Sequence, residues 1–488
     1  MLTFGTWMLV VSICVVAAVI VVKATFKARI HLDTKRSLAK ETSNDTALPR
    51  ALRVSSPMAI AFVVAMLGIF AWASRRIAIT LAGEALDTPL IWVFNGMFIV
   101  VSVTLILAFS ERQVVGENAS DRTIAVLIPL YNEDSEVVKT MIRALFNQSK
   151  RPNEIHVVDD GSDQGDYADV RSWFEREAQN LGIVASWART PNQGKRRAQV
   201  TAFKNIRSAE LFVTVDSDSV LDREAILQIC HPFRDARVQS VAGIILALNN
   251  RTTFLARVTN LIFVSQQLTD RSAMSRLGSV MVNSGGLAAY RYEILADNID
   301  QYLSETYLGR KVEFSDDSFL TLLAMLKGRT IQQPSAFAFA YMPDRFSHHY
   351  RQQIRWFRGS FIRGLWRVRF MPVGSWAFLR QLLGWILLAV SSMVFVYIVL
   401  WRPLMDGISI PPEAILVPFL IGYVQNARYI SIWRSDESAV ARYLTVLLLS
   451  PFATLWNIIF LRPMRLWGAL SSRKMGWNTR ERIEVTVK

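Results

Sequence analysis

The sequence predicts an α/β domain with a mostly parallel sheet, inserted between transmembrane helices and fringed by interfacial amphipathic helices. Three observations carry that expectation. Between residues 121 and 342, runs of β-branched and aromatic residues alternate with helical stretches, and each run ends in polar residues. Apolar stretches, most of them free of charge, precede and follow that region. Residues 343–370 are rich in arginine and aromatic side chains, with no acid between Arg345 and Phe370.

The composition agrees. Of 488 residues, 51% are hydrophobic, too many for an ordinary soluble enzyme, while 19% charged is too many for a pure membrane bundle. The net charge of +15 follows from Lys and Arg gathering on the cytoplasmic side of a membrane. That charge is spread over membrane-flanking loops rather than collected on one module, which argues against a nucleic-acid partner. Cys14 lies in an apolar segment and Cys230 far from it, so neither a disulfide framework nor a cysteine metal site is supported.

Residues 1–110 read as three N-terminal spans, Leu2–Val22, about Pro57–Ala73 and about Leu90–Phe109, with a basic loop at 23–56. The positive-inside rule makes that loop cytoplasmic and the N-terminus external. The chain then re-enters the cytoplasm near Ser110. In the 121–342 domain, strands are expected at Thr123–Ile128, Ile155–Val158, Ile183–Trp187 and Leu211–Val215, with helices between them. Residues 343–370 suit a helix in the headgroup plane, aromatics down and guanidinium groups toward water or phosphate. In 376–461, spans are expected at about Trp376–Leu400 and Ala414–Val424. Tyr443–Leu461 is apolar too, but is interrupted by Pro451. Residues 462–488 form the tail.

The chemistry gathers at Leu211–Val220. Asp216 and Asp218 stand at the carboxyl end of a strand, where open α/β sheets place ligands, and alternation puts both on one face. Two carboxylates so placed can hold a divalent cation against a diphosphate; the competing reading is a strand followed by an Asp/Ser turn. Lys195, beside Gly194, can reach a phosphate as a point charge, or can simply open a solvated helix.

Together and in order, these pieces resemble the inverting, processive membrane glycosyltransferases of family 2, which include hyaluronan, chitin and cellulose synthases. The matching motifs are Pro129-Leu-Tyr-Asn-Glu133, Asp159-Asp-Gly-Ser162, Gly194-Lys195-Arg196, Asp216-Ser-Asp218, Asn283-Ser-Gly285-Gly286, Ser315-Asp-Asp317 and Gln352-Gln-Ile-Arg355-Trp356. Gly476-Trp477-Asn-Thr479-Arg480 looks like the gating segment of hyaluronan synthases. The resemblance implies a GT-A-like domain, a plasma-membrane location with that domain cytoplasmic, UDP-sugar donors and a growing polysaccharide acceptor. It makes Asp160 the partner of the uracil imide, with Asp159 capping the turn after it. Lys195, Asp216 and Arg355 bind the nucleotide sugar, and Asp218 ligates Mg²⁺ or Mn²⁺. Asp317 becomes the base, its neighbour Asp316 either raising its pKa or capping the next helix. Gln352, Trp356, Gly285 and Gly286 bind the acceptor, while Trp477, Thr479 and Arg480 gate the site. For the gate to close over a cytoplasmic site, Tyr443–Leu461 is expected to re-enter or lie in plane, broken at Pro451, leaving five full spans.

Two positions depart from hyaluronan synthases. They usually carry Arg after the acid pair, where Ser318 stands here, and tend to carry Cys just before the glycine turn, where Asn283 stands. Hyaluronan synthase remains the nearest relative by motif. Chitin-oligosaccharide, capsule and β-glucan synthases come next, and a non-processive transferase acting on a lipid is a further reading.

Overall fold

The computed structural model describes residues 48–474, apart from 55, 82–87, 117–118, 164–166, 408 and 411. The expected first span Leu2–Val22, most of the basic loop, and Trp477, Thr479 and Arg480 lie outside the described residues.

Two helices, α1 (Pro57–Leu81) and α2 (Thr88–Phe109), lead toward a mixed eight-stranded sheet. Its strands are β1 (Ile124–Leu130), β2 (Glu154–Asp159), β3 (Val184–Arg189), β4 (Leu211–Thr214), β5 (Ser219–Leu221), β6 (Val238–Ala247), β7 (Ala288–Arg291) and β8 (Arg329–Ala340). The order is β3-β2-β1-β4-β7-β6-β8-β5. Neighbours β3, β2, β1 and β4 run parallel, as does β6 with β8; β7 is antiparallel to both its neighbours, and β5 to β8. The expected mostly parallel sheet is present, with one reversed strand in its middle and another at its edge.

β1 is buried at every position because helices cover both faces of the sheet. Val126 and Ile128 point into one core with Met141, Ile142 and Phe174 from α3 (Ser135–Phe146) and α4 (Ala168–Asn180). Leu127, one residue out of phase, points into the other. There it meets Phe203 of α5 (Lys195–Lys204), Phe212, and Phe319 of a helix described below. The period-two alternation of a strand thus builds two cores from consecutive residues. Asp134 starts α3 by accepting hydrogen bonds from the Glu136 and Val137 amides, so the helix opens directly behind the end of β1.

After β6 come α6 (Phe254–Gln266) and α7 (Asp316–Lys327); after β8 come α8 (Phe346–Phe370) and α9 (Trp376–Val396). The chain ends in α10 (Pro412–Asn426), α11 (Ala439–Trp456) and α12 (Arg462–Leu470). Among the described residues, Pro57–Ile77, Trp92–Phe109, Trp376–Asp406 and Ala439–Leu470 are long and apolar enough to cross a membrane.

Three membrane-side expectations need correction. The segment expected to cross at Ala414–Val424 is a helix of 15 residues, which rises about 22 Å against a hydrocarbon core of about 30 Å. It turns at Ala427–Ser431 into a three-residue strand, Ile432–Arg434, that pairs antiparallel with Ala51–Arg53. The break expected at Pro451 is absent, because α11 runs through it. Proline frees the carbonyl four residues back, and here Tyr423 Oη donates to Leu447 O at 2.9 Å. The arginines of α8, expected to face water or phosphate, are partly internal: Arg363 and Arg367 are buried. Carboxylate and carbonyl partners make that burial tolerable, Glu305 for Arg363, and Gln381 Oε1 (3.1 Å) and Met281 O (2.6 Å) for Arg367.

Buried polar contacts fasten the sheet domain to its membrane helices. Arg50 Nε lies 3.0 Å from Asp222 Oδ2. Glu111, just past α2, receives Arg53 at 2.8 Å, Ser272 Oγ at 2.7 Å and Gln332 Nε2 at 3.1 Å.

Candidate active site

Four strand ends and two helix starts converge on one cavity. The Pro129–Glu133 and Asp159–Asp163 motifs stitch to each other: the Asn132 amide donates to Ser162 Oγ and the Asp163 amide to Asn132 Oδ1, each at 2.9 Å. Asp159 accepts from the Ser162 amide at 2.9 Å, the turn cap expected of it. Asp160 is buried and accepts from the amides of Gln193 (3.0 Å) and Gly194 (2.8 Å), tying β2 to the loop that opens α5. Burial raises its carboxyl above the usual range, against those hydrogen bonds.

Lys195 heads α5 and stands between two carboxylate pairs. Its Nζ is 2.7 Å from Asp216 Oδ1 and 3.1 Å from Asp316 Oδ2. Burial opposes the ammonium, but Asp216 and Asp316 outweigh it and hold the lysine well above its ordinary range. Each pair is split in the same way. Burial, then the charge of Asp216, pushes Asp218 up to about 7. Burial, then the charge of Asp316, pushes Asp317 up to about 7. Asp316 is also buried, yet Lys195 holds it below the usual range. Thus each pair has one member paired with Lys195 and one poised near neutrality, the separation that acid–base chemistry uses.

The surrounding turns are shaped for this approach. A Cβ on Gly285 would lie 3.1 Å from both Asp216 oxygens, and one on Gly286 would lie 2.9 Å from Ser219 Oγ. The glycine turn therefore packs against the Asp216–Asp218 side while lining the common cavity. Ser217 Oγ, between the two aspartates, donates to Glu133 Oε1 at 3.1 Å. Across the site, Ser315 (φ +57°) turns the chain into α7, where the Ser318 amide donates to Asp317 Oδ1 at 2.6 Å. Gln352, Arg355 and Trp356 of α8 line the same cavity, with Trp356 stacked on Phe263 at 5.7 Å.

Every expected site residue among those described lines this cavity of about 990 Å³. Trp477, Thr479 and Arg480 lie outside the described residues. Sequence reasoning misses Arg271, whose guanidinium bonds Ser284 Oγ (2.9 Å), Gly243 O (2.9 Å) and Gln332 Oε1 (2.6 Å), bracing the glycine turn. It also misses Gln199, which donates to Asp316 Oδ2 at 3.0 Å. Arg363 was legible only as one arginine among many, although it lies two helical turns beyond Arg355. Its Nε is 3.3 Å from Ser318 Oγ, so an arginine does reach the position after the acid pair, from another element.

The cavity continues past Asp317 and Trp356 to Arg380, Trp385, Ala389 and Ser392 of α9 and to Leu466 and Ala469 of α12. It therefore joins the carboxylate cluster to two of the apolar helices.

Residues 121–359 match the family model described as glycosyltransferase like family 2. A hyaluronan synthase of Streptococcus pyogenes serotype M3 is 27% identical over 374 residues, covering 75% of this chain and 85% of its own. An N-acetylglucosaminyltransferase of Rhizobium meliloti is 31% identical over 281 residues, covering 55% and 63%. Among solved structures, a mannosyltransferase from Pyrobaculum calidifontis, in complex with GDP-Man and Mn²⁺, has a TM-score of 0.48 and 18% identity, covering 82% of this chain and 98% of that one. With four long apolar helices among its described residues, the chain is a membrane protein. Residues 121–359 are a glycosyltransferase-like family 2 domain, and the chain is a glycosyltransferase.

Proposed function

We propose that the chain is an inverting transferase that polymerises a β-linked polysaccharide from UDP-sugars and passes it across the plasma membrane. The catalytic domain faces the cytoplasm, and the product is hyaluronan-like, drawn from UDP-GlcNAc and UDP-GlcA. The observation that carries this reading is the single cavity running from Asp160, Lys195 and Asp216 past Asp317 to α9 and α12. A soluble acceptor would need no such continuation between apolar helices. The similarity to hyaluronan synthase over 85% of that protein supports the choice of product.

In this mechanism Asp160 meets the uracil, and Lys195 and Arg355 face the diphosphate as fixed positive charges. Asp218, beside Asp216, fits a divalent cation: burial and a neighbouring carboxylate hold its own carboxyl near neutrality, and a cation relieves both. Among the described residues no third protein ligand joins them, as suits a Mg²⁺ or Mn²⁺ shared with a diphosphate rather than caged by protein. When bound, the cation offsets charge on the leaving diphosphate. Gln352 and Trp356 hold the acceptor sugar, Trp356 by stacking. The glycine turn at Gly285 and Gly286 leaves the sugars room beside Asp216. Asp317 takes the proton from the acceptor hydroxyl as its oxygen bonds to the anomeric carbon. The bond from that carbon to the diphosphate breaks on the opposite face, and UDP leaves with the electron pair. Trp477, Thr479 and Arg480, which lie outside the described residues, take the gating role on the resemblance alone.

The Rhizobium relative at 31% identity favours a second reading, an oligomer of N-acetylglucosamine alone. One experiment separates the readings. Purified protein in lipid discs receives UDP-GlcNAc and UDP-GlcA, singly and together, with Mg²⁺ or Mn²⁺. Polymer that needs both donors and is cleaved by hyaluronidase supports the first. Chitinase-sensitive product from UDP-GlcNAc alone supports the second. A product of one or two sugars on a lipid sinks both.

A further inference from the structure

Glu305 is a buried carboxylate that belongs to none of the motifs. It stands just before the hairpin that leads into α7, and both its oxygens are taken. Arg196 Nη2 reaches Oε2 at 2.7 Å, Arg363 bonds both oxygens, and Trp366 Nε1 donates to Oε1 at 2.7 Å. The two arginines come from different elements of the site. Arg196 follows Lys195 at the head of α5 and also donates to Phe314 O at 2.9 Å, just before the acid pair. Arg363 sits on α8, on the helix that carries Gln352, Arg355 and Trp356, and reaches Ser318 Oγ at 3.3 Å, just after the pair. Both guanidinium groups also lie over the Phe319 ring, at 5.2 and 4.7 Å. One carboxylate therefore fixes the lysine helix, the acid-pair helix and the acceptor helix relative to one another.

We propose that Glu305 is the positioning residue of the transfer step, setting the place of Asp317 between donor and acceptor through Arg196 and Arg363. This rests on Asp317 being the base. Glu305 touches neither sugar and lies behind the site wall. Its loss leaves two buried guanidinium groups without their counter-charge, with the acid pair as the nearest substitute. Arg363 then turns toward α7, and Asp317 leaves its attack geometry while the uracil and diphosphate contacts remain.

The test is steady-state UDP release by Glu305→Gln, Glu305→Asp, Arg363→Met and Asp317→Asn in lipid discs, with UDP affinity measured separately. Glu305→Gln is expected to lower kcat by roughly 10- to 100-fold, the scale of a small misplacement of reacting groups, with donor KM and UDP affinity within about twofold. Glu305→Asp, which keeps the charge, recovers part of the loss. Combining Glu305→Gln with Arg363→Met falls no lower than the worse single variant. Asp317→Asn at the wild-type rate would overturn the base reading itself. Asp317→Asn inactive beside Glu305→Gln at full kcat would overturn the role of Glu305 alone. Loss of UDP affinity and kcat in parallel in both Glu305 variants would make the residue merely structural and refute the proposal. Should Glu305→Gln not fold, Glu305→Asp and Arg363→Met carry the same comparison.

Discussion

Lys195 divides four carboxylates into two unequal pairs, and the consequence is a pH dependence. As the proposed base, Asp317 works only when ionised, and burial together with Asp316 pushes it up to about 7. The sign follows directly: below that pH the carboxyl holds its proton and transfer stops, and above it the rate levels off. UDP release at saturating donor and cation should therefore fall about tenfold per pH unit on the acid side, with a midpoint near 7. Saturating cation keeps Asp218, which titrates in the same range, in its ionised form. Asp317→Asn should remove that limb and lower the rate by about 10²-fold or more. A wild-type profile flat from pH 5 to 8 would contradict the assignment. Much of this site is legible in the sequence, because Asp160, Lys195, Asp216, Asp218 and Asp317 each sit in a short motif at an element's end. What spacing does not reveal is that Lys195 touches both pairs. That contact depends on how α5 and α7 pack, and neither the hydrophobic period nor any local motif encodes it.

At the scale of elements, α8 has to come close to the start of α7 for the acceptor helix to face the acid pair. Gly359 permits it. A Cβ there would run into Ser315 Oγ and lie 2.8 Å from Ser315 Cβ. The hydroxyl could rotate away, but Cβ moves only with the backbone, and Ser315 is already held at φ +57°. Gly359→Ala should therefore push the helices apart and lower kcat by roughly 10- to 100-fold, with UDP affinity little changed. Gly68→Ala in α1 meets nothing within 4 Å and serves as the control; it should leave activity intact and stabilise the helix by up to about 1 kcal/mol. Equal activities for the two variants would show that the close approach is dispensable. The existence of α8 is readable from its composition, but the fate of its arginines is not. An arginine-rich helix without acids looks interfacial until Glu305, from a distant loop, supplies the buried counter-charge. Pro451 misleads in the opposite way. The residue signals a break, while the compensating hydroxyl of Tyr423 belongs to another helix.

Across the described molecule, the buried contacts of Asp222 and Glu111 join the sheet domain to the membrane helices, and so does the cavity itself. The first joint holds the strand ends at a fixed height relative to the helices. On the proposed function, sugar added at Asp317 would always enter the same mouth between α9 and α12. If that continuation is the product's path, narrowing it should spare the donor site and shorten the polymer. Ala389 and Ser392 are the suitable positions, since both line the cavity on α9 well beyond the acid pair. Ala389→Trp or Ser392→Trp adds a large ring to a passage that must admit a chain of pyranose rings. The expected outcome is unchanged UDP affinity together with a product that runs much shorter on a sizing gel. Initial UDP release persists until the first few sugars fill the mouth, and then stops. Full-length polymer from both variants would exclude this passage as the route. The catalytic assignment would survive, because the carboxylate cluster owes its geometry to the sheet and to α5, α7 and α8, and to neither of those side chains.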